Sequence, residues 1–395
     1  MGHLRKVGVG AGTLLILIAF SLFSTMEEST SLEIPSGMTE PPSDMEQSAI
    51  SPSPVKPQQM FPRKDLLGDY IKLHADIVSG RAPPRFLRWS CSSPICPGWG
   101  DRLRGIMNTL VVGILTNRAV LIDQNRVNLV PYYRTDVINY AFKVPEGTPE
   151  PLLDCSGMYM CPCTANLVAH SRGEDPYVSH IGMSWCFEEL MTDPALDEAR
   201  ELLFKQLGED APSWRTIFFE TFFKPTPLLD SLIDEIWKPS PNSVGIHIRS
   251  GMMGPDQNRF PGTLEEYLAD FASCAVTGTE SFPEPPLEIF VASDNTEVTA
   301  KFIEVATDSF KKKGKTPKFV TGEAAGGLEH VTHSHSGDSD SRMFAEFEVL
   351  RRVELLLPSE SGYSFMAYVV RERFENRNLV PSRKCVLVNE GEMIR

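Results

Sequence analysis

The sequence predicts an α/β fold with parallel sheets, placed behind an N-terminal membrane anchor and a stem. Strand-like apolar runs alternate with helix-like runs from about residue 64 onward, which is the pattern of βαβ units. An uncharged apolar run near the N-terminus is separated from this part by a segment rich in Pro and Ser. The length of 395 residues gives room for two domains or one large one, because a domain usually takes about 150 residues.

Charge excludes one class of partner. The chain has 38 Lys and Arg against 52 Asp and Glu, which gives a formal net charge of −14. A general nucleic-acid binder needs a basic surface for phosphate contacts, so no nucleic-acid partner is expected. The hydrophobic share of 42% and the charged share of 23% are ordinary for a globular protein that builds a core.

The apolar run over residues 7–25 predicts a transmembrane signal anchor. At 1.5 Å per residue it comes close to the hydrocarbon thickness of about 30 Å. Basic residues precede it and Glu27 and Glu28 follow, so residues 1–6 are expected in the cytosol and the rest in the lumen. This is a single-pass type II topology. The alternative is a cleaved secretory signal with its cleavage site near residues 21–25.

Residues 26–63 are expected to form a disordered stem. They are rich in Pro, Ser, Glu and Met and have no hydrophobic period, so they cannot bury enough apolar surface to fold.

All eight cysteines lie after the stem, and an even number in a lumenal chain favours disulfides. Cys91 and Cys96 are close enough in sequence to close a local loop, but the full connectivity cannot be deduced. Cys161 and Cys163 do not match zinc-ligand spacing, which favours structural disulfides over a metal site.

The first segment of interest is a predicted strand–loop–helix. A strand over residues 86–90 leads into a loop with Gly98 and Gly100, and apolar residues then recur at helical spacing. Asp101 is expected to be the N-cap of this helix, and a strand over residues 119–123 completes a βαβ unit. Glycines before a helix N-terminus let a phosphate or sugar approach the backbone. The alternative is a tight turn that needs the freedom of glycine.

The second segment, VGIHIRSG, predicts a strand that ends near a ligand site. Alternation places Val244, Ile246 and Ile248 on one face and His247 and Arg249 on the other. The carboxyl ends of strands are where open α/β sheets bind ligands, and the planar fork of Arg suits a diphosphate. A salt-bridged Arg at a strand end is the alternative. A turn is expected at Gly251 and Gly254.

The third segment, LEIFVASDN, predicts a buried parallel strand whose polar end faces the same crevice. Asp294 is able to accept hydrogen bonds from a ribose or a guanine edge. Asp294 and Asn295 after a strand are equally suited to a turn or a helix cap.

The fourth segment runs over residues 344–370. Phe344, Phe347 and Leu350 mark one face of a helix, a short buried strand is expected over residues 355–357, and a serine loop over residues 359–364 opens a further helix. Serine hydroxyls and unpaired N–H groups at a helix start form an anion site, or a plain N-cap with nothing bound.

Together these segments resemble the fucosyltransferase superfamily, which groups plant xyloglucan α-1,2-fucosyltransferases, α-1,6-fucosyltransferases including the bacterial nodulation enzyme, and protein O-fucosyltransferases. The likeness covers patches between residues 98 and 371. Its most specific parts are GWGDRLRGIMNTLVVGILTNRAVLID, which is similar to the family's Gly-x-Gly-Asn-Arg-Leu opening, and VGIHIRSG, which is similar to its His-x-Arg motif. An anchor, a stem and a folded part are also the layout of a resident Golgi glycosyltransferase.

The resemblance implies a GT-B-like fold of two Rossmann-type halves, here residues 64–225 and a nucleotide-sugar-binding half over residues 226–395. It implies metal-independent, inverting transfer from GDP-fucose to a glycan or glycoprotein, in the Golgi lumen, with an ER or secreted form as alternatives. Arg249 takes the role on the donor diphosphate, with His247 as its partner in catalysis. The family's acidic residue falls on Glu346 and its serine on Ser361. The full set expected to bind the donor is Gly98, Gly100, Asp101, Arg102, Arg249, Gly251, Asp294, Glu346, Ser361, Tyr363 and Ser364.

The sequence departs from the family pattern at two places that bear on the general base. Asp101 stands where the family usually has an amide, and Ser250-Gly251-Met252-Met253 follows Arg249 in place of the Gly-Asp or Thr-Asp of some members. Asp101 and Asp256 are both candidates for the base, and the sequence marks neither.

Two other classes stay open. A metal-dependent GT-A glycosyltransferase would use the Asp338-Ser339-Asp340 motif beside His330, His333 and His335, but such a motif normally ends an apolar strand, and this segment is expected to be a polar loop. A lectin-like relative would keep the fold and lack the chemistry.

Overall fold

The structure is a computed structural model of the protein. The residues that the structure describes are 65–91, 98–125, 128–146, 152–155, 167, 171–182, 197, 201, 205, 214–239, 242–251, 262–282, 287–325, 337–371, 377–380 and 385–387. All of them belong to one unit, Phe61–Arg395. The predicted anchor over residues 7–25 and stem over residues 26–63 lie outside them. Among the described residues, no helix combines the length and apolar content that a membrane crossing needs.

The N-terminal sheet has four parallel strands in the order β2-β1-β4-β3. The strands are β1 Phe86–Ser90, β2 Ala119–Ile122, β3 Leu152–Cys155 and β4 Tyr177–Gly182. Phe86 of the central strand β1 is in register with Ala119 on one side and Tyr177 on the other. Helix α1 (Leu66–Val78) precedes this sheet, and α2 (Trp99–Thr116) connects β1 to β2. The βαβ unit predicted from the sequence is therefore confirmed.

Helix α2 is buried along nearly its whole length and begins earlier than predicted. Its N-cap is Gly98, which has the extended backbone of an N-cap (φ −60°, ψ 164°) and provides no side-chain hydrogen bond. The prediction that Asp101 is the N-cap is wrong, because Asp101 lies inside the first turn. A carboxylate in that turn is still favoured by the positive end of the helix dipole.

The C-terminal sheet has six strands in the order β10-β9-β8-β5-β6-β7, parallel except for the edge pair β9 and β10. The strands are β5 Ser243–Ile248, β6 Glu288–Ser293, β7 Lys318–Thr321, β8 Leu355–Leu357, β9 Arg377–Val380 and β10 Val386–Leu387. Helices connect the parallel strands: α5 Leu264–Gly278, α6 Thr296–Lys312, α7 Gly337–Arg352 and α8 Gly362–Val369. Helices α3 (Trp214–Phe222) and α4 (Pro227–Ile236) precede β5. Short 3₁₀ turns occupy Thr279–Ser281 and Gly322–Ala325.

The two faces of β5 are covered differently. Val244, Ile246 and Ile248 lie in one buried cluster with residues of α5 and α6, as the alternation predicts. On the other face, Gly245 lies against the end of α7 so closely that an added Cβ would be 3.1 Å from Cδ2 of Leu350. Helix α7 therefore lies directly over the face of β5 that carries His247.

Aromatic side chains of α7 join the two sheets into one core. Phe344 packs edge-on against Trp99 of α2 with ring centroids 4.9 Å apart, and Tyr132 lies 4.6 Å from the same ring. Phe344, Phe347 and Leu350 are all fully buried, which confirms the helical face predicted from their spacing. Helices α2, α7 and α8 consequently form the layer between the sheets.

One disulfide of the C-terminal sheet is fully described. Cys274 of α5 is bonded to Cys385, 111 residues later in the chain. On the chain-entropy model, closing a loop of this length destabilises the unfolded state by about 4–5 kcal/mol. Cys91 is also disulfide-bonded, but Cys96 lies outside the described residues. The suggested pairing of Cys91 with Cys96 stays a prediction.

Candidate functional site

Three neighbouring strands bring the predicted site residues to one edge of the C-terminal sheet. The order β8-β5-β6 is parallel, so the carboxyl ends of these strands meet at the same edge. His247 and Arg249 come from the end of β5, Asp294 follows β6, and the serine loop follows β8. Such an edge is where open α/β sheets bind ligands.

Arg249 is held by Asp294. Its Nη1 lies 2.9 Å from Oδ2 of Asp294, and the two side chains are only 17% and 9% exposed. The same carboxylate accepts hydrogen bonds from the backbone N–H of Ser250 at 2.7 Å and of Gly251 at 3.3 Å. Asp294 thus fixes both the guanidinium and the turn after β5. This ion pair is the salt-bridged arrangement that was the alternative for Arg249.

The turn itself requires glycine. Gly251 has a φ of +63°, a left-handed conformation that side chains with a Cβ rarely adopt. Gly254 and the candidate base Asp256 lie outside the described residues. Asn295, next to Asp294, is the N-cap of α6 and accepts from the backbone N–H of Glu297 and Val298.

His247 is buried and neutral. Its Nδ1 lies 2.8 Å from Oγ of Ser359, and its ring centroid lies 5.0 Å from that of Tyr363. Burial lowers the pKa of His247 to about 4; Arg249 also lowers this pKa and Asp294 raises it. At neutral pH the imidazole therefore carries no charge beside Arg249.

The serine loop caps α8, as predicted. Ser361 is the N-cap, and its Oγ accepts from the backbone N–H of Tyr363 at 3.3 Å. Ser364 is fully buried, and its hydroxyl donates to the carbonyl oxygen of Ser359 at 3.0 Å. The Tyr363 hydroxyl donates to the carbonyl oxygen of Met343 at 2.7 Å, so it ties α8 to α7. Ser361, which is half-buried, stands at the start of the helix, whereas Ser364 is buried inside it.

Gly100 and Gly362 allow two helices to touch. A Cβ on Gly100 would lie 2.0 Å from the carbonyl oxygen of Gly362, and one on Gly362 would lie 2.7 Å from Oδ1 of Asp101. Gly100 is therefore required for the contact of α2 with α8. Gly98 differs, since nothing lies within 4 Å of an added Cβ there. Arg102, the last predicted residue of this segment, is buried.

Glu346 forms a buried ion pair that the sequence analysis did not predict. Its Oε1 lies 2.8 Å from Nε of Arg342, and both side chains are less than a tenth exposed. Burial raises the pKa of Glu346, against the effect of the Arg342 charge. Gly322 packs on the carboxylate, since an added Cβ would lie 2.0 Å from Oε1. The Arg–Glu spacing of four residues on a helix was the available signal.

The alternative metal motif does not lie at a strand end. Asp338 and Asp340 lie in the first turn of α7, which begins at Gly337, so the expectation of a polar loop there is wrong. His330, His333 and His335 are outside the described residues. Within the part of the chain that is described, no group of three or more His, Cys, Asp or Glu side chains is arranged to hold a metal ion.

Comparison with known proteins identifies the fold. The sequence matches no protein-family model and no curated protein. Among solved structures, an Arg-to-Lys variant of FUT1 from Arabidopsis thaliana in complex with GDP matches with a TM-score of 0.58 at 15% identity, over 85% of this chain and 84% of FUT1. Fucosyltransferase NodZ from Bradyrhizobium matches with a TM-score of 0.43 at 13% identity, over 78% and 99%. The likeness to FUT1 confirms the predicted α/β fold with parallel sheets and, at the level of the fold, the resemblance found in the motifs.

Proposed function

We propose that this chain is a glycosyltransferase that transfers fucose from GDP-fucose to a hydroxyl group of a glycan or glycoprotein. The observation that carries the proposal is Arg249 at the carboxyl end of β5, fixed by Asp294 in a fold shared with a structure solved in complex with GDP. The motif resemblance to the fucosyltransferase superfamily points to the same donor.

The chemistry of the leaving group explains why Arg249 matters. Transfer breaks the bond between the fucose anomeric carbon and a phosphate oxygen, so negative charge develops on the diphosphate of GDP. The guanidinium presents a planar fork of donors that matches phosphate oxygens, and Asp294 holds the plane of this fork in place. The N-terminus of α8, capped by Ser361, adds a positive dipole end at the same sheet edge. Arg249 and the helix dipole supply the charge that a divalent metal supplies elsewhere.

The acceptor hydroxyl attacks the anomeric carbon from the side opposite the leaving group, and this inverts its configuration. The acceptor oxygen loses its proton to a base as the new bond forms. Asp101 and Asp256 remain the candidates for the base.

Donor choice and metal independence are tested together. Nucleotide release is measured with GDP-fucose and with UDP-sugars, each in EDTA and in Mn²⁺. We expect release from GDP-fucose that is unaffected by EDTA. A strict requirement for Mn²⁺ with a UDP-sugar would favour the GT-A alternative with Asp338 and Asp340. Tight GDP-fucose binding without transfer to any acceptor would favour the lectin-like alternative.

The proposed location is the Golgi membrane, with the folded part in the lumen, on the strength of residues 7–25 and the charges that flank them. Membranes extracted with carbonate should retain the protein, and protease added outside sealed vesicles should spare the folded part. A soluble product that begins near residue 26 would show that the segment is a cleaved signal.

A further inference from the structure

A short hydrogen-bond chain runs behind His247. Ser359, which follows β8 and is 6% exposed, lies with its Oγ 2.8 Å from Nδ1 of His247. On its other side, the same Oγ lies 3.5 Å from Oγ of Ser364. The hydroxyl of Ser364 lies 3.0 Å from the carbonyl oxygen of Ser359.

The donor and the acceptor of each of these hydrogen bonds follow from the chemistry of the two atoms and from the distance between them. A carbonyl oxygen only accepts, and the Ser364 hydroxyl has two such acceptors, the carbonyls of Ser359 at 3.0 Å and of Ser361 at 3.4 Å. The proton of Ser364 points to the nearer one, that of Ser359. Ser359 has one hydroxyl proton and two possible acceptors, His247 Nδ1 at 2.8 Å and Ser364 Oγ at 3.5 Å. If Nδ1–H donated to Ser359 instead, the proton of Ser359 would have only the contact with Ser364, which is at the outer limit of a hydrogen bond. Donation from Ser359 to Nδ1 uses the 2.8 Å contact for that proton, so the proton goes to Nδ1. Because the imidazole is neutral, its own proton is then on Nε2.

We propose that Ser359 is a positioning residue that holds His247 in the Nε2–H tautomer, so that the imidazole acts as a hydrogen-bond donor and not as a base. Among the contacts of the described residues, His247 forms its hydrogen bond through Nδ1 alone. His247 is the second-last residue of β5 and Arg249 directly follows the strand, so the Nε2–H donor and the guanidinium come from residues two apart at the same sheet edge. Two such donors together suit an anionic oxygen of the GDP diphosphate. This choice of ligand rests on the proposed function.

The tautomer also limits where the acceptor proton goes. A ring nitrogen that already carries a proton has no lone pair for a second one. Protonation of Nδ1 instead would make an imidazolium, which is unfavourable in a buried position beside Arg249. His247 is therefore not a candidate for the general base.

The tautomer is measured directly by nitrogen NMR on the full-length chain labelled with ¹⁵N at its eight histidines. The signal of His247 is the one lost in His247→Gln. We expect an unprotonated Nδ1 and a protonated Nε2 in the wild type, averaged signals in Ser359→Ala, and restored signals in Ser359→Thr, which keeps the hydroxyl. Ser309→Ala is the matched control, because that hydroxyl donates to the carbonyl oxygen of Val305 in its own helix, and it should leave the His247 signals unchanged. A protonated Nδ1 in the wild type, or unchanged signals in Ser359→Ala, would overturn the inference.

Ligand contact is tested by GDP titration of two replacements of His247. The amide of Gln reaches the place of Nε2, whereas that of Asn reaches the place of Nδ1. We expect the His247→Gln variant to bind GDP within about threefold of the wild type. The His247→Asn variant should bind GDP about tenfold or more weakly, which is the loss of affinity expected when one hydrogen bond to a charged group is removed. Equal losses, or better binding by Asn, would remove His247 from the diphosphate. A wild-type chain that binds no GDP would count against the proposed function, while the ¹⁵N signals would still decide the tautomer.

Discussion

The position of Arg249 has two explanations, and the substitution Arg249→Lys distinguishes between them. As a donor to a diphosphate, it needs the planar fork; as a partner of Asp294 in a strand-end ion pair, it needs only its charge. We expect Arg249→Lys to reduce the rate of transfer a hundredfold or more, because one lost transition-state donor costs about 3–4 kcal/mol in comparable sites. The measurement is steady-state GDP release from GDP-fucose.

The matched control is Arg81→Lys, an exposed arginine whose Nε lies 2.7 Å from Asp76, and it should leave the rate unchanged. If Arg249→Lys unfolds cooperatively like the wild type and keeps close to full activity, Arg249 is a structural residue and the proposed function loses its main support.

Two buried histidines make stability depend on pH. Burial lowers the pKa of both His74 and His247 to about 4, from an ordinary value of 6.5. Between these values the unfolded chain takes up protons that the folded chain does not, so the free energy of unfolding falls as the pH drops from 6.5 to 4. We expect a loss of about 2 kcal/mol per histidine between pH 7 and pH 5, measured by urea unfolding. His247→Gln should lose less over that interval than the wild type; an equal loss would show that His247 is already charged when folded.

Single residues were predictable where the local sequence alone determines their placement. Alternation in VGIHIRSG predicted that Val244, Ile246 and Ile248 share one face, and the structure places these three in one buried cluster. Arg249 lies just beyond the end of β5, so its place on the face of His247 stays a prediction. Their partners were not predictable, because Asp294 reaches the turn after β5 across 44 residues and Ser359 reaches His247 across 112. Contacts of this kind depend on the order of strands in the sheet, which one sequence does not specify.

At the scale of elements, the contact of α2 with α8 rests on one missing methyl group. Gly100→Ala would place a Cβ 2.0 Å from a backbone oxygen of Gly362, so the two helices must move apart. We expect a loss of about 3 kcal/mol or more in the free energy of unfolding, as for severe overpacking. Gly98→Ala, two residues earlier and with nothing within 4 Å of the new Cβ, should cost less than about 1 kcal/mol. Similar unfolding midpoints for the two variants would mean that the helices do not touch at Gly100.

Helices and strands with strong apolar patterns were predicted well, and their ends were not. The faces of α7 and β5 follow the apolar spacing in the sequence. The start of α2 was misplaced because Asp101 is a good N-cap residue, whereas the chain uses the backbone of Gly98. The start of α7 was missed because Gly337, Asp338 and Ser339 have low helix propensity, and the helix instead gains stability from the buried face that follows.

At the scale of the whole molecule, a buried charge network links the parts of the chain that build the two sheets. Glu348 of α7 is fully buried; its carboxylate accepts from the Tyr133 hydroxyl at 3.0 Å and from Nε of Arg351 at 2.6 Å. Arg351 also pairs with Glu220 of α3. Tyr133 and Glu220 precede β5, whereas α7 lies between β7 and β8. The halves expected at residues 64–225 and 226–395 are consequently joined through this network, although their boundary stays a prediction.

This network predicts how the molecule unfolds. Glu348→Ala leaves the buried Arg351 guanidinium without one of its two carboxylate partners, which should lower the free energy of unfolding by about 3–5 kcal/mol. Tyr133→Phe removes one neutral donor and should cost only about 1–2 kcal/mol. Because the network joins both parts, the wild type should unfold in one transition by fluorescence and circular dichroism in urea, and Glu348→Ala should unfold in two.

The exposed pair of Lys313 and Glu280 supplies the control. Glu280→Ala removes a carboxylate without leaving a buried charge, so it should change neither the midpoint nor the shape of the urea unfolding curve. Two transitions already present in the wild type would show that the sheets are independent and that the network does not couple them.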